Sequence, residues 1–205
     1  VRGNPAETPV GRLARFYRAF LEETDDAFEN RWGGSLLDGF RAAQERGSVE
    51  LITSTATHGF LPLMTSERAR RAQVRVGCEA FRRTFGRQPR GIWLGECAYA
   101  RGVDRLLAEQ GIEYFFLDGH GILFGEPRPA YGVFAPIVTP AGVYALGRDT
   151  DSARQVWSSK EGYPGDPWYR EFYRDLGYDS DYTYIQPHLH ADGIRRGVGI
   201  KYHRV

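Results

Sequence analysis

The chain has 205 residues, 27 of them basic and 26 acidic, for a net charge of +1. That length is enough for one domain with a sizeable core. No basic block interrupts the even charge balance, which argues against nucleic-acid or anionic-membrane binding, and no apolar run approaches the ~20 residues that span a bilayer.

The first residues, Val1-Arg2-Gly3-Asn4-Pro5, carry no signal-peptide pattern, and two cysteines, Cys78 and Cys97, make no disulfide framework. Both features lead to the expectation of a reducing, cytoplasmic setting. The 25 glycines and 11 prolines exceed the average usage of ~12% and favour long, shaped loops. Aromatic residues make up 14% of the chain. Their faces pack well against the apolar C–H face of a pyranose, although core packing is the commoner role of any one of them.

Taken in order, Leu13, Phe16, Tyr17, Phe20 and Leu21 recur at helical spacing and predict a helix within residues 8–29, started by Thr8 and Pro9 and broken at Trp32-Gly33-Gly34. Residues 35–46 read as a second helix that Gly47 stops. Residues 49–55 are rich in β-branched side chains and read as a strand. A long arginine-rich helix over 66–85 starts at a Ser66 cap and stops at Gly86; its arginines form a solvated face. The apolar run Ile92-Trp93-Leu94 is a strand, residues 103–110 a helix closed by Gly111, and residues 112–117 the next strand. Residues 133–138 and 143–146 read as strands around Thr139-Pro140-Ala141-Gly142. Helices alternating with strands define an α/β chain with a parallel sheet.

Three polar side chains stand just past strand ends, where parallel α/β barrels place their chemistry. Glu96 follows Gly95, whose small size permits a sharp turn and a close approach to ligand. His58 follows the strand over 49–55, and His120 stands between Gly119 and Gly121 after the strand over 112–117. A histidine in such a loop is more often a plain surface group. Near the end, His188 and His190 at i and i+2 would share one side of an extended strand and can hold a metal if a third ligand joins them. Residues 199–205 have strand-like character.

Trp93-Leu94-Gly95-Glu96-Cys97-Ala98-Tyr99 resembles the nucleophile motif of glycoside hydrolase family 57, in its 1,4-α-glucan branching enzyme subgroup. The one departure is Gly95, where the family pattern has proline. Ser54-Thr55-Ala56-Thr57-His58-Gly59-Phe60-Leu61-Pro62-Leu63 is similar to an earlier motif, whose histidine lines the first sugar subsite. The block Arg148-Asp149-Thr150-Asp151-Ser152-Ala153-Arg154-Gln155-Val156-Trp157-Ser158, followed by Gly162-Tyr163-Pro164-Gly165-Asp166-Pro167 and Trp168, is similar to the branching-enzyme subgroup nearly throughout.

The resemblance implies part of an incomplete (β/α)7 TIM-like barrel with parallel strands, acting on α-1,4-glucan without metal or other cofactor. Glu96 would be the nucleophile. His58, Trp93, His120, Arg148, Asp149, Trp157 and Tyr163 would bind substrate, although Trp157, Tyr163 and Trp168 equally suit the role of pinning their loop to the barrel. The family's acid/base is an aspartate in a stretch close to Asp-Thr-Glu-Leu-Phe-Gly-His-Trp-Trp, which this sequence lacks. It also lacks the family's opening His-x-His-x-Pro-Tyr and its C-terminal helical region.

The expectation is therefore a single partial barrel domain over 1–205, the middle of a longer catalytic domain. Branching is the leading activity, with α-amylase or 4-α-glucanotransferase as alternatives. A non-catalytic glucan-binding remnant, or a metal-dependent carbohydrate deacetylase using His188 and His190, stand further off. Residues 1–205 alone are expected to leave amylose unchanged; native-like turnover would contradict the placement of the acid/base outside them.

Overall fold

The computed structural model of the chain describes residues 8–162 and 175–199. Two compact units are present, one of residues 1–34 with 151–205 and one of residues 35–150.

The 35–150 unit is built on a five-stranded sheet. It opens with α2 (Leu36–Glu45), which follows α1 (Pro9–Asp26) of the other unit; the Ser35 hydroxyl caps α2 by accepting from the Asp38 N–H. Then come β1 (Thr53–Ser54), α3 (Glu67–Phe85), β2 (Gly91–Trp93), α4 (Val103–Ala108) and β3 (Tyr114–Leu117). A short α5 (Gly119–Leu123) precedes β4 (Ile137–Val138) and β5 (Tyr144–Gly147). The strand order is β1-β2-β3-β5-β4, with the first four parallel and β4 antiparallel to β5.

Helix limits follow the sequence signals. Ser66 caps α3 by accepting from the Ala69 N–H, and Gly86 ends it in the left-handed conformation at φ +72°. Strand limits are tighter than the β-branched runs suggest. The expected strand over 49–55 forms a ladder only at Thr53↔Ile92 and Ser54↔Trp93. Two residues earlier the Leu51 N–H donates to Gln44 Oε1 at 3.2 Å, outside the sheet. The run over 133–138 is shortened too: Gly132–Phe134 forms a single tight turn, Pro136 interrupts, and only Ile137–Val138 pairs. The sequence signals place no helix at Gly119–Leu123, where α5 forms.

One face of the sheet and the helices α3 and α4 share a single core. Ile92, Phe115, Leu117 and Ala145 pack with Val74 and Cys78 of α3 and Val103 and Leu107 of α4. Full burial of a Phe or Leu contributes about 1.5–3 kcal/mol, so Phe115, Leu94 and Leu107, all at 0% exposure, anchor it. The opposite face carries half-buried aromatics: Trp93 lies 5.6 Å from Phe116, which meets Tyr114 edge-on at 5.9 Å.

In the other unit, α6 (Thr150–Trp157), which starts at the last residue of the 35–150 unit, is followed by α7 (Leu176–Asp179) and α8 (Tyr182–Ile185). The buried Asp175 carboxylate accepts from the N–H groups of Gly177, Val198 and Gly199 at 2.8–3.1 Å and ties this segment together. His188 stands in a tight helical turn (Gln186–His188) rather than on a strand, so the shared side expected for His188 and His190 is not formed. The strand character expected over 199–205 lies, apart from Gly199, outside the described residues.

Gly77 lets α3 approach β1. A Cβ there would stand 2.0 Å from the Ser54 carbonyl oxygen, and the Thr53 hydroxyl donates to the Gly77 carbonyl at 2.9 Å. Gly77→Ala is expected to destabilise the intact protein by roughly 1–3 kcal/mol, the range for an overpacked core. Urea denaturation checks this; an unchanged midpoint would contradict the close approach.

Candidate active site

The loops that leave the C-terminal ends of β1, β2 and β3 meet at one cleft. It has a volume of about 370 Å³ and is lined by Phe60 and Pro62 after β1, residues 96–99 after β2, Leu117 at the end of β3, and Asp118, His120 and Gly121 beyond it.

Glu96 sits in the tight turn Gly95–Cys97, which the Cys97 N–H closes onto the Leu94 carbonyl at 3.0 Å. Among the described residues three non-glycines have positive φ: His58 at +54°, Glu96 at +55° and Cys97 at +53°. The left-handed region costs an L-residue roughly 1–2 kcal/mol, so this strain is gathered at one place. It turns the Glu96 carboxylate outward, where its side chain is 74% exposed, while Cys97 is buried.

His58 faces it, with Nε2 3.6 Å from Glu96 Oε1. That separation is too long for a hydrogen bond. The Ser54 hydroxyl stands 3.3 Å from His58 Nδ1. The loop carrying His58 is strapped to α3 through Gln73: the Ala56 N–H donates to the Gln73 carbonyl and the Thr57 N–H to Gln73 Oε1, both at 3.0 Å.

The Glu96 turn is braced from a second side. Arg148, which follows β5, brings Nη1 to 3.8 Å from Cys97 Sγ and its guanidinium to 5.7 Å from the Trp93 ring centre. Burial pushes the Cys97 thiol above its ordinary range, against the opposing pull of Arg148. The Cys78 thiol, buried in the core, is pushed up to about 11 by burial alone. Tyr99 is pushed up to about 12, first by burial and then by the neighbouring Asp104 carboxylate.

His120 Nδ1 lies 3.4 Å from Asp118 Oδ1 on the third side of the cleft. Of the side chains singled out in the sequence, Glu96 and His120 thus line the cleft, His58 faces Glu96 at its edge, and Trp93 and Arg148 stand behind the Glu96 turn. Asp149 is half-buried beside Arg148 in sequence. Trp157 is 72% exposed on α6, in the other unit, and Tyr163 and Trp168 lie outside the described residues. Phe60, Asp118 and Tyr99 also line the cleft, beyond the residues that the sequence motifs single out. Each lies within a few residues of a strand end, so the rule that found Glu96 reaches them when applied to every polar or aromatic residue there.

Among the described residues no three His, Cys, Asp or Glu side chains group as metal ligands, and no described helix is long and apolar enough to cross a membrane. A carboxylate just past the C-terminal end of a parallel strand stands where α/β barrels place their chemistry. The chain belongs to glycosyl hydrolase family 57, whose sequence model matches residues 12–204. The parallel strands are accordingly part of the family's (β/α)7 barrel.

A 1,4-α-glucan branching enzyme of Thermococcus kodakarensis is 36% identical over 167 residues, covering 69% of this chain and 25% of its own length. The crystal structure of an α-amylase from Thermotoga maritima superposes with a TM-score of 0.85 and 46% identity, over 97% of this chain and 38% of that one. A branching enzyme from Pyrococcus horikoshii superposes with a TM-score of 0.71 and 36% identity, over 80% and 33%. The chain spans about a quarter of the length of the curated relatives it matches.

The strain at Glu96 is testable by itself. Glycine tolerates φ +55°, and Glu96 buries little, so Glu96→Gly is expected to be more stable than Glu96→Ala by about 1 kcal/mol. Equal urea midpoints for the two variants would contradict a left-handed Glu96.

Proposed function

We propose that this chain is the central part of a retaining enzyme acting on α-1,4-glucan, with Glu96 as its nucleophile, and that the activity is formation of α-1,6 branches. The observation that carries the reading is the outward, left-handed Glu96 in the cleft beyond β2, 3.6 Å from His58. The branching enzymes similar to this chain support the choice of reaction.

In the proposed cycle a Glu96 carboxylate oxygen bonds to the anomeric carbon of a glucan as the glycosidic C–O bond breaks. A second carboxyl, outside this chain, gives its proton to the departing oxygen. The 6-hydroxyl of an acceptor glucan then attacks the anomeric carbon, its proton passes to that same carboxylate, and Glu96 is released. Each displacement inverts the anomeric carbon, so the α configuration is kept overall.

His58 and His120 hydrogen-bond sugar hydroxyls on either side of Glu96, with Asp118 orienting His120. Trp93 offers an aromatic surface, and Arg148 and Asp149 hold the loop after β5 against the site. Trp157 and Tyr163 are assigned to substrate binding on the family resemblance alone. A cytoplasmic place in the synthesis of a glycogen-like polymer follows from that activity.

The higher identity and fuller coverage of the Thermotoga maritima α-amylase favour hydrolysis as a second reading, in which water replaces the acceptor hydroxyl. Incubating the intact enzyme with amylose and treating the product with a debranching enzyme separates the two. Branching predicts new α-1,6 linkages with little gain in reducing ends; shortened chains with no α-1,6 linkages would establish hydrolysis instead. Glu96→Gln is expected to lower either rate by on the order of 10⁴-fold or more.

A further inference from the structure

Gly95 stands between the two catalytic loops, and its conformation alone does not demand glycine: its φ lies outside the left-handed region. The demand comes from a neighbour. A Cβ at position 95 would lie 2.7 Å from the His58 carbonyl oxygen, 2.9 Å from the Gly59 carbonyl oxygen and 3.2 Å from the Gly59 carbonyl carbon. All three atoms are backbone, so no side chain can swing away.

Neither loop yields easily. The His58 loop is fastened to α3 by Gln73, through Ala56 N–H, Thr57 N–H and the Thr57 hydroxyl. The Glu96 turn is closed by Cys97 N–H and Ala98 N–H onto the Leu94 and Gly95 carbonyls, and Arg148 rests on Cys97 behind it. Ordinary van der Waals contact begins near 3.4 Å, so a methyl group at position 95 must separate the loops by roughly half an ångström or more. The two side chains that these loops present to each other are His58 and Glu96.

We propose that Gly95 is a positioning residue: by having no side chain it lets the His58–Gly59 backbone rest directly on the Glu96 turn, and it thereby sets the separation between His58 and Glu96. The proposal rests on the assignment of Glu96 as nucleophile. Because the family pattern has proline here, this direct seating of the two loops is particular to this chain.

The test is a double-mutant cycle in the intact enzyme, using initial rates on amylose. Displacement of catalytic groups by about 1 Å can cost 10²-fold in rate. Gly95→Ala is expected to lower kcat by tens of fold to about 10²-fold while KM stays within about threefold. In a His58→Ala background the same change is expected to cost less than about threefold, because the separation it disturbs no longer matters. Equal losses with and without His58 would overturn the proposal, as would an unchanged kcat in Gly95→Ala.

A variant that does not fold leaves a second readout. In the wild-type enzyme the His58 ring resonances, assigned through His58→Gln, are expected to shift on Glu96→Gln; no shift would overturn the proposal without any change at Gly95. Turnover by Glu96→Gln at the wild-type rate would instead reject the nucleophile assignment, a result distinct from failure at Gly95.

Discussion

Two rungs of parallel ladder, Thr53↔Ile92 and Ser54↔Trp93, decide where the candidate site can form. They bring the ends of β1 and β2 level, so that the His58 and Glu96 loops leave the sheet side by side. Everything that shapes the site depends on that register holding. It is a short register on which to hang two loops, and the structure reinforces it from both flanks. Gly77 lets α3 close onto the Ser54 carbonyl, and Arg90, just before β2, pairs with Glu50 and Glu113 at the opposite ends of the strands. The ion pairs are exposed and contribute little individually, so close packing of α3 on β1 is the stronger element.

Given that register, the local backbone does the rest. Left-handed residues at positions 58, 96 and 97 turn both loops sharply enough to face each other. Such conformations persist where surrounding contacts over-determine them. Here the contacts are the Gln73 strap on one loop and the buried Cys97 with its Arg148 neighbour on the other. The result is an exposed carboxylate on a rigid mount. The half-buried aromatic face of the sheet, Trp93, Phe116 and Tyr114, continues behind it.

Much of this was legible in the sequence because it is written in local signals. Caps and stops such as Ser35, Ser66 and Gly86 act within one turn of helix, and the placement of Glu96 beyond an apolar run needs only the end of a strand. Strand lengths were less legible, because a ladder ends where its pairing ends: Gln44 takes the Leu51 N–H, and Pro136 cuts a run whose own composition would have continued. The tail around His188 reads as extended from its alternation, yet Asp181 caps a helical turn at Thr183 and the chain stays coiled to His188. Gly95 was legible as a departure from a motif but not as a necessity, since the carbonyls that require it belong to residues nearly forty positions earlier.

The central claim is that Glu96 carries the sugar. A 5-fluoro glycosyl fluoride of α configuration tests it directly in the intact enzyme, because the ring fluorine slows an oxocarbenium-like transition state while fluoride leaves with little help from an acid. The account predicts a covalent adduct, found by mass spectrometry on the proteolytic peptide that contains Glu96 and lost in Glu96→Gln. Inactivation with the sugar on a different carboxylate would contradict it.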